Sequence, residues 1–351
     1  MKKNELFRRC DIAVNRNCNV RCNFCYAKDT GYDLNTNMSF GTFEKIVSLC
    51  DELKIGRIAF FGGEPTVCKD IFEYLKRIPK HIGIGIVTNA IMLSDEELCK
   101  KYIESGVVSF SLSIKAHNRE KYREITQVDA FDKVLKGIEN VSRLGVDFSV
   151  SYVITNDNVE DIPEMIKIAK KYGAKRFFFS FCRNLNLLGI KDDTYIKGNN
   201  PFEIARRFEK ILPIIKNMGV KISYSINDPL CVHTESFVRE NIIDFPFPCH
   251  VYNESILSFD DEGNLIPCHS MYPIKVGKVG EDFVTKDELL EFRMSEKYRT
   301  IYKKLRGLPS DDCTNCGALK NCYGRCVCNW TNYSFDQLSK MGKLTRFCSE
   351  L

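Results

Sequence analysis

The sequence has little of what marks a membrane, secreted or nucleic-acid-binding protein. It contains one Trp, and no apolar run approaches the roughly 20 residues that a membrane-spanning helix needs. Residues 1–5 lack the apolar core of a signal peptide. The chain has 51 Lys and Arg against 46 Asp and Glu, which gives a net charge of +5. The excess positive charge is dispersed along the sequence and forms no Arg/Lys block. These absences predict a soluble, cytoplasmic protein that binds neither membranes nor nucleic acid.

Cysteine, by contrast, is abundant, with 17 residues in a chain of 351. Without an export signal, clustered Cys indicate metal binding more often than disulfides. The Cys concentrate near residue 20 and again from Cys249 to Cys348. Two such groups predict two metal-binding regions.

The first group is a C-x3-C-x2-C run with Phe24 before its last member, formed by Cys18, Cys22 and Cys25. Three thiolates on one loop can hold three irons of a [4Fe–4S] cube and leave the fourth without a protein ligand. A structural zinc site would need a fourth ligand, and the sequence supplies none close by, because the nearest His is His81 and the next Cys is Cys50. The run therefore favours an open iron–sulfur cluster, with three unligated surface Cys as the alternative.

Strand-like and helix-like segments alternate along the next 200 residues. Apolar runs predict strands at 10–14, 57–61, 82–87, 107–114, 146–154 and 176–181. Helical spacing predicts helices at 43–53, 71–78, 95–105 with Ser94 as N-cap, 131–144, 162–172 and 202–218. About six β/α units predict an α/β fold with a parallel sheet, closed as a barrel or open. The site is expected at the carboxyl ends of the strands.

Polar motifs follow several of these strands. Gly62-Gly63-Glu64-Pro65 comes directly after the second strand, where the glycines permit close backbone approach and Glu64 offers a carboxylate to a cationic amine. A plain turn is the alternative. Thr88-Asn89 ends the third strand, and Ser111 and Ser113 share one face of the fourth. A polar stretch from Asn184 to Pro201 predicts a substrate-facing loop.

The cysteine run, Phe24 and the strand-end motifs together resemble the radical S-adenosylmethionine (radical SAM) superfamily. The resemblance implies a partial (β/α)6 TIM-like barrel. It also implies that the open iron chelates the amino and carboxylate groups of SAM. One electron then splits the sulfonium, and a 5′-deoxyadenosyl radical takes a hydrogen atom from the substrate.

The same resemblance implies the SAM contacts. The Gly62–Pro65 loop corresponds to the GGE motif that contacts the SAM amino group, and Thr88-Asn89 to a Thr-Asn-Gly pattern with Ala90 replacing the Gly. Further implied contacts are Ser111 and Ser113 for the ribose or methionine end, Arg123 for the carboxylate, and Asn156 for the nucleoside. Arg123 as a solvated helix residue is the alternative. Lys115-Ala116 stands where many relatives have Asp-Gly, so the role of that Asp is not carried over.

The second cysteine group resembles the SPASM domain, a C-terminal extension of radical SAM enzymes with two auxiliary Fe–S clusters. The resemblance implies an inner cluster on Cys249, Cys268 and Cys326, and an outer one on Cys313, Cys316, Cys322 and Cys348. Three [4Fe–4S] clusters are thus expected. The inner cluster's fourth ligand is open among Cys231, Cys328, His250, water and substrate, and a zinc ribbon over 313–326 is the alternative. The implied domains are a barrel at 1–220, a bridging segment at 221–248 and the SPASM domain at 249–351.

Beyond residue 240 the sequence predicts few strands and helices apart from a hairpin at 255–259 and 264–266. His269 follows Cys268 at a position that holds an Asp in the sulfatase-maturating branch, so it is a candidate proton acceptor or a partner of the cluster. Cys182, Cys231 and Cys328 are candidate hydrogen-atom donors or small buried hydrophobes.

The sequence therefore predicts a radical SAM/SPASM oxidoreductase. The first-ranked function is a maturase of a ribosomal peptide, which it modifies by cross-linking, thioether formation or epimerisation. Sulfatase maturation ranks second and small-molecule dehydrogenation or epimerisation third. About ten residues precede the first strand, so we expect a separate leader-recognition protein, direct loop recognition or a small-molecule substrate. The expected electron donor is of the flavodoxin or ferredoxin type. A non-catalytic zinc-binding module is the alternative from another class.

Overall fold

A computed structural model describes residues 7–25, 27, 36–182, 200–241, 249–327, 342–345 and 347. These residues belong to two compact units: the first is Met1–Ser151, Ile168–Lys175 and His250–Lys304, and the second is Tyr152–Lys167, Arg176–Cys249 and Leu305–Leu351. Most of the predicted substrate-facing loop, residues 184–199, lies outside the described residues, as do Cys328 and Cys348. The domain boundaries predicted at residues 220 and 249 stay predictions.

The first unit is built on a largely parallel sheet. Its parallel strands are β1 (Arg9–Ala13), β2 (Arg57–Phe61), β3 (Gly83–Thr88), β4 (Val107–Ser113) and the start of β5 (Asp147–Ile154). On the other side of β1 lies β8 (Ile256–Phe259), also parallel, followed by antiparallel β9 (Asn264–Ile266) and β10 (Gly277–Lys278). The second unit contains β6 (Arg176–Phe181) paired in parallel with β7 (Lys221–Ser225).

Helices connect these strands. In chain order they are α1 (Phe40–Glu52), α2 (Ile71–Lys76), α3 (Glu96–Glu104), α4 (Arg119–Thr126), α5 (Phe131–Arg143), α6 (Ile162–Lys171), α7 (Pro201–Lys216), α8 (Glu235–Asn241), α9 (His250–Asn253), α10 (Lys286–Met294), α11 (Glu296–Leu305) and α12 (Leu319–Cys322). None of the helices in the described ranges is both long and apolar enough to cross a membrane. Parallel strands alternating with helices confirm the predicted α/β class.

Aromatic packing between helices and strands forms the core of each unit. In the first, the Phe43 ring of α1 stacks on Phe60 of β2 with centroids 6.1 Å apart and lies 4.8 Å from Tyr74 of α2. In the second, Phe208 of α7 contacts Phe181 of β6 at 5.1 Å. Fully burying such a side chain contributes about 1.5–3 kcal/mol, so these contacts fix the helices against their strands.

Two local predictions are corrected by the structure. The N-cap of α3 is Asp95, whose carboxylate accepts hydrogen bonds from the N–H groups of Glu97 and Leu98, whereas Ser94 ends the preceding 3-10 turn. An anionic cap suits the positive end of the helix dipole better than a hydroxyl. The expectation of few helices beyond residue 240 was wrong for α10 and α11. The sequence does contain a signal for the start of α10, because Thr285-x-x-Glu288 is a capping box and forms the N-terminus of that helix.

The loop after β2 is pressed against the segment that follows β1. Gly63 N donates to Asn15 O at 3.0 Å, and Glu64 N donates to Asn17 O at 2.8 Å. A Cβ atom on Gly63 would lie 2.2 Å from Asn17 O and 2.3 Å from Arg16 O. The glycine is therefore required by a close approach of protein backbone to protein backbone.

We predict that Gly63→Ala destabilises the protein by at least about 2 kcal/mol, because rigid carbonyl groups cannot move away from the new methyl group. Gly41→Ala is the matched control: it lies in α1, nothing lies within 4 Å of its added Cβ, and it should stabilise by about 0.5–1 kcal/mol. Urea unfolding measures both. Equal stability of Gly63→Ala and the wild type would contradict the packing argument.

Candidate active site

The loop that carries Cys18, Cys22 and Cys25, here called the cluster loop (residues 18–25), is anchored to the end of α4. Arg21 N donates to Thr126 O at 2.9 Å, and Asn23 N donates to Ile125 O at 3.0 Å. The last carbonyls of a helix have no partner within that helix. The cluster loop satisfies two of them, so its backbone is held in place without any metal.

The three thiols of the cluster loop form a suitable donor set for an iron–sulfur cluster. Burial raises the pKa of Cys18 to about 12, and the nearby charges of Glu64, Cys22 and Cys25 add to that rise. Burial also raises the pKa of Cys22. Within the described ranges, no three His, Cys, Asp or Glu side chains are arranged to hold a single metal ion. The charges of Cys22 and Cys25 reach Cys18, so the three thiols lie near one another and supply the donor set of the open [4Fe–4S] group that the sequence predicts.

Both carboxylate oxygens of Glu64, in the loop after β2, accept hydrogen bonds from other groups of the protein. Oε1 accepts hydrogen bonds from Thr66 N at 3.0 Å, Thr66 Oγ1 at 2.6 Å and Thr88 Oγ1 at 2.7 Å, and Oε2 accepts one from Asn89 N at 2.7 Å. The side chain is buried. Burial raises its pKa, and these four donors oppose the rise. The contact of this loop with the SAM amino group stays a prediction, and the carboxylate joins β2 to β3.

The end of β3 extends this connection to the cluster loop. Asn89 Nδ2 donates to Asn19 Oδ1 at 2.7 Å, a contact that sequence analysis missed. Asn89 is followed by Ala90, whose φ of 66° is left-handed. The Gly of the Thr-Asn-Gly pattern suits that conformation, whereas an Ala there is strained. The turn after β3 therefore keeps its left-handed backbone although Ala90 stands in place of the Gly of the pattern.

The carboxyl end of β4 places polar groups beside the cluster loop. Ser111 and Ser113 are partly exposed on one face of the strand, while the intervening Leu112 is buried, as predicted. Lys115 Nζ donates to Ser113 Oγ at 2.5 Å and lies 5.6 Å from the centroid of the Phe24 ring. The structure thus brings Ser113 and Phe24 together around a cation.

Two other predicted SAM contacts occupy different surroundings. Arg123 is exposed on α4 and lines a surface pocket with Arg119, Glu120, Glu124 and Asp129. In the second unit, Asn156 Nδ2 donates to Glu203 Oε2 at 3.3 Å, and Asn156 Oδ1 accepts from Arg207 at 3.2 Å. Their roles toward SAM stay predictions.

His269 lies next to the loop after β2. Its ring makes an edge contact with Phe61, the last residue of β2, at a centroid distance of 5.4 Å. Cys268, directly before it, is buried. His269 is therefore within the first unit at the carboxyl end of β2, where a substrate-directed group is expected.

The second unit gathers several of the C-terminal Cys. Leu230 N donates to Cys322 Sγ at 3.4 Å. Cys231, which follows Leu230, therefore lies near the Cys that are predicted to hold the outer cluster. Burial raises the pKa of Cys231, and the thiols of Cys322, Cys313 and Cys316 raise it further. The backbone at Phe347 also lies beside these Cys, because Gly317 N donates to Phe347 O at 2.9 Å.

Three other Cys of the second unit have separate positions. Cys326 N donates to Asn227 O at 2.9 Å, and Cys249 directly precedes α9. Cys182, at the end of β6, is buried and its N–H donates to Ile154 O at 2.8 Å. Ligation by Cys249, Cys268 and Cys326, and hydrogen donation by Cys182, stay predictions.

Comparison with known families finds a match that includes the cluster loop. Residues 12–169 match the model of the Radical SAM superfamily. The matched range includes the cluster loop, the Gly62–Pro65 loop and the ends of β3 and β4. It supports SAM and a [4Fe–4S] cluster as the cofactors of a radical SAM enzyme.

Sequence relatives match about half of the chain or more. A probable GTP 3′,8-cyclase of Pyrococcus abyssi is 31% identical, over 46% of this chain and 53% of its own length. The GTP 3′,8-cyclase of Clostridium perfringens (strain SM101 / Type A) is 28% identical, over 57% of this chain and 62% of its own. The chain thus spans between half and two thirds of these two curated relatives.

Solved structures resemble the chain over nearly its whole length. Streptococcus suis SuiB bound to the precursor peptide SuiA has a TM-score of 0.70 at 18% identity, covering 93% of this chain and 73% of that one. Native anSMEcpe with bound AdoMet has a TM-score of 0.69 at 18% identity, covering 95% of this chain and 96% of that one. At this identity the likeness shows the fold alone, which is the partial barrel-like fold of radical SAM enzymes.

We predict that Glu64→Ala destabilises the protein by at least about 3 kcal/mol, because it leaves four buried donors without an acceptor. The cluster loop should also hold less iron after reconstitution, since Asn89 loses its support. Glu139→Ala is the control, because Glu139 forms an exposed pair with Lys136 worth less than about 1 kcal/mol. Chemical unfolding and iron content measure the effects. Wild-type values for Glu64→Ala would show that the carboxylate does not join these loops.

Proposed function

We propose that the chain is a radical SAM enzyme in which Cys18, Cys22 and Cys25 hold a [4Fe–4S] cluster that binds SAM. The observation that carries the proposal is the connection of three strand ends to the cluster loop. Gly63 and Glu64 bond to its approach segment, Asn89 bonds to Asn19, and Lys115 lies against Phe24. These contacts preorganise an open cluster beside a polar strand face.

The protein contributes positioning and the cofactors contribute the chemistry. When bound, the cluster would supply the electron that splits SAM, and the resulting 5′-deoxyadenosyl radical would abstract a hydrogen atom from the substrate. Ser111 and Ser113 offer hydroxyl groups for the ribose or methionine end of SAM. His269, whose ring contacts Phe61 at the end of β2, is our candidate to accept a proton from the substrate.

The C-terminal Cys are proposed to hold two auxiliary clusters, with Cys249, Cys268 and Cys326 at the inner one. For the outer one, support comes from the positions of Cys313, Cys316 and Cys322 near one another and from the hydrogen bond between Gly317 and Phe347. Such clusters would accept an electron from the substrate or pass it to a flavodoxin- or ferredoxin-type partner. Three clusters per chain would correspond to about 12 iron atoms.

The first candidate substrate is a ribosomal peptide or a protein, with sulfatase maturation as a narrower variant. This is supported by structural likeness over 93–95% of the chain to SuiB, captured with a precursor peptide, and to anSMEcpe, captured with AdoMet and a peptide. The second candidate is a nucleotide or other small molecule, which is favoured by the GTP 3′,8-cyclases among the sequence relatives. A separate leader-recognition protein is a possible partner only in the first case.

Replacing Cys18, Cys22 and Cys25 together by Ala should remove about four iron atoms per chain and abolish reductive cleavage of SAM. Cys99→Ala is the control, because Cys99 is a buried thiol that donates to Leu93 O outside both cysteine groups. Iron and sulfide analysis and quantification of 5′-deoxyadenosine under dithionite measure the outcome. SAM cleavage by the triple variant, or a wild type that stays colourless after anaerobic reconstitution, would refute the proposal.

Substrate class and the role of His269 can be tested in one assay. If a neighbouring gene encodes a short precursor peptide, that peptide and GTP are each supplied deuterium-labelled, and deuterium in 5′-deoxyadenosine identifies the hydrogen donor. We expect transfer from the peptide, and we expect His269→Ala to lower peptide turnover about 100-fold while SAM cleavage without substrate stays within about threefold. Transfer from GTP alone would select the second candidate. Unchanged peptide turnover would remove His269 from catalysis.

A further inference from the structure

Lys115 is a partly buried cation whose contacts are neutral. Its ammonium donates to the Ser113 hydroxyl at 2.5 Å and lies 5.6 Å from the Phe24 ring centroid. In the part of the chain that the structure describes, it forms no ion pair with a carboxylate. Because a half-buried charge without a counter-charge is unfavourable, this position suits an anionic group supplied by a ligand.

The position of Lys115 relative to the cluster loop indicates which ligand. Phe24 lies between Cys22 and Cys25, so the ammonium lies over the part of the loop that carries two of the three thiols. A ligand that chelates the open iron through an amino-acid carboxylate brings that carboxylate to this loop.

The alternative cation, Arg123, already has anionic neighbours. It is exposed on α4 and shares a surface pocket with Glu120, Glu124 and Asp129. Lys115, in contrast, follows β4 on the face of Ser113 and contacts the cluster loop directly. A carboxylate beside Phe24 of the cluster loop would therefore lie near a cation, Lys115, that has no carboxylate partner among the described residues.

We propose that Lys115 is a positioning residue that pairs with the α-carboxylate of SAM, in place of Arg123. This inference rests on the proposed function, because it requires SAM at the cluster loop. The Asp of many relatives at this position could not make the same pair, since two carboxylates repel one another. The charge reversal at residue 115 thus gives this chain its own means of holding the methionine end.

The test compares SAM with decarboxylated SAM, which lacks only the carboxylate. Dissociation constants are measured anaerobically on reconstituted protein of matched iron content, for the wild type, Lys115→Met, Lys115→Arg and Arg123→Met. Lys115→Met should weaken SAM binding about 10- to 100-fold, the range of a charge-assisted hydrogen bond, and change decarboxylated SAM less than about threefold. Lys101→Met is the matched control, because Lys101 lies 4.1 Å from the Phe72 ring centroid, away from the site.

Lys115→Arg keeps the charge and should bind SAM within about threefold of the wild type. Equal weakening of both ligands in Lys115→Met, or loss of discrimination in Arg123→Met instead, would overturn the assignment. Unchanged SAM affinity in Lys115→Met would do the same while leaving the proposed function intact. Failure of the reconstituted wild type to bind SAM would instead refute the proposed function.

Discussion

The buried carboxylate of Glu64 is the interaction on which the arrangement of the strand ends depends. It accepts hydrogen bonds from its own loop and from Thr88 and Asn89 at the end of β3. An unpaired buried carboxylate costs several kcal/mol, so the two loops are stable only when they are together. Asn89 then passes the constraint to Asn19 in the cluster loop. The compensation of this charge therefore helps to position the cluster loop, together with the hydrogen bonds of that loop to the end of α4.

A second group of buried carboxylates acts on the other side of β1. In the turn between β8 and β9, Asp261 Oδ1 accepts from Arg16 Nε at 2.8 Å, and Asp260 pairs with Lys275. Arg16 is two residues before Cys18, and β8 lies directly beside β1. The segment leading into the cluster loop is therefore fixed by residues far outside the matched range 12–169. The C-terminal hairpin is structural support for the site.

Local patterns were enough for most of the fold and for the cysteine loop. Strands β2 and β6 have the bounds that their apolar runs predicted, and Gly62-Gly63-Glu64 lies at the end of β2 as expected. What local patterns could not supply was pairing at long range, such as Asn89 with Asn19 or Arg16 with Asp261, 245 residues apart. Those contacts depend on which strand ends meet, and that is set by the sheet order.

Because local patterns do not show long-range contacts, the role of a single residue was harder to predict than the group of residues to which it belongs. Cys231 was a candidate for the inner cluster or for hydrogen donation, yet Leu230 bonds to Cys322 and places Cys231 at the outer set. Lys115 was recognised only as a departure from Asp. Its environment of Ser113 and Phe24 is what gives the departure a chemical meaning.

Substrate choice has to be sought outside the part of the chain that the family model matches. The sequence relatives include a probable GTP 3′,8-cyclase, whereas the fold over almost the whole chain resembles a protein crystallised with a precursor peptide. Residues 12–169 carry the motifs that we propose for SAM and the cluster, so we do not expect them to distinguish such different ligands. In this chain the remainder includes the turn that supports Arg16, His269 against Phe61, and the Cys of the second unit. We therefore expect substrate specificity to depend on residues beyond 169, some of which, such as Asp261, also hold the approach to the cluster loop in place.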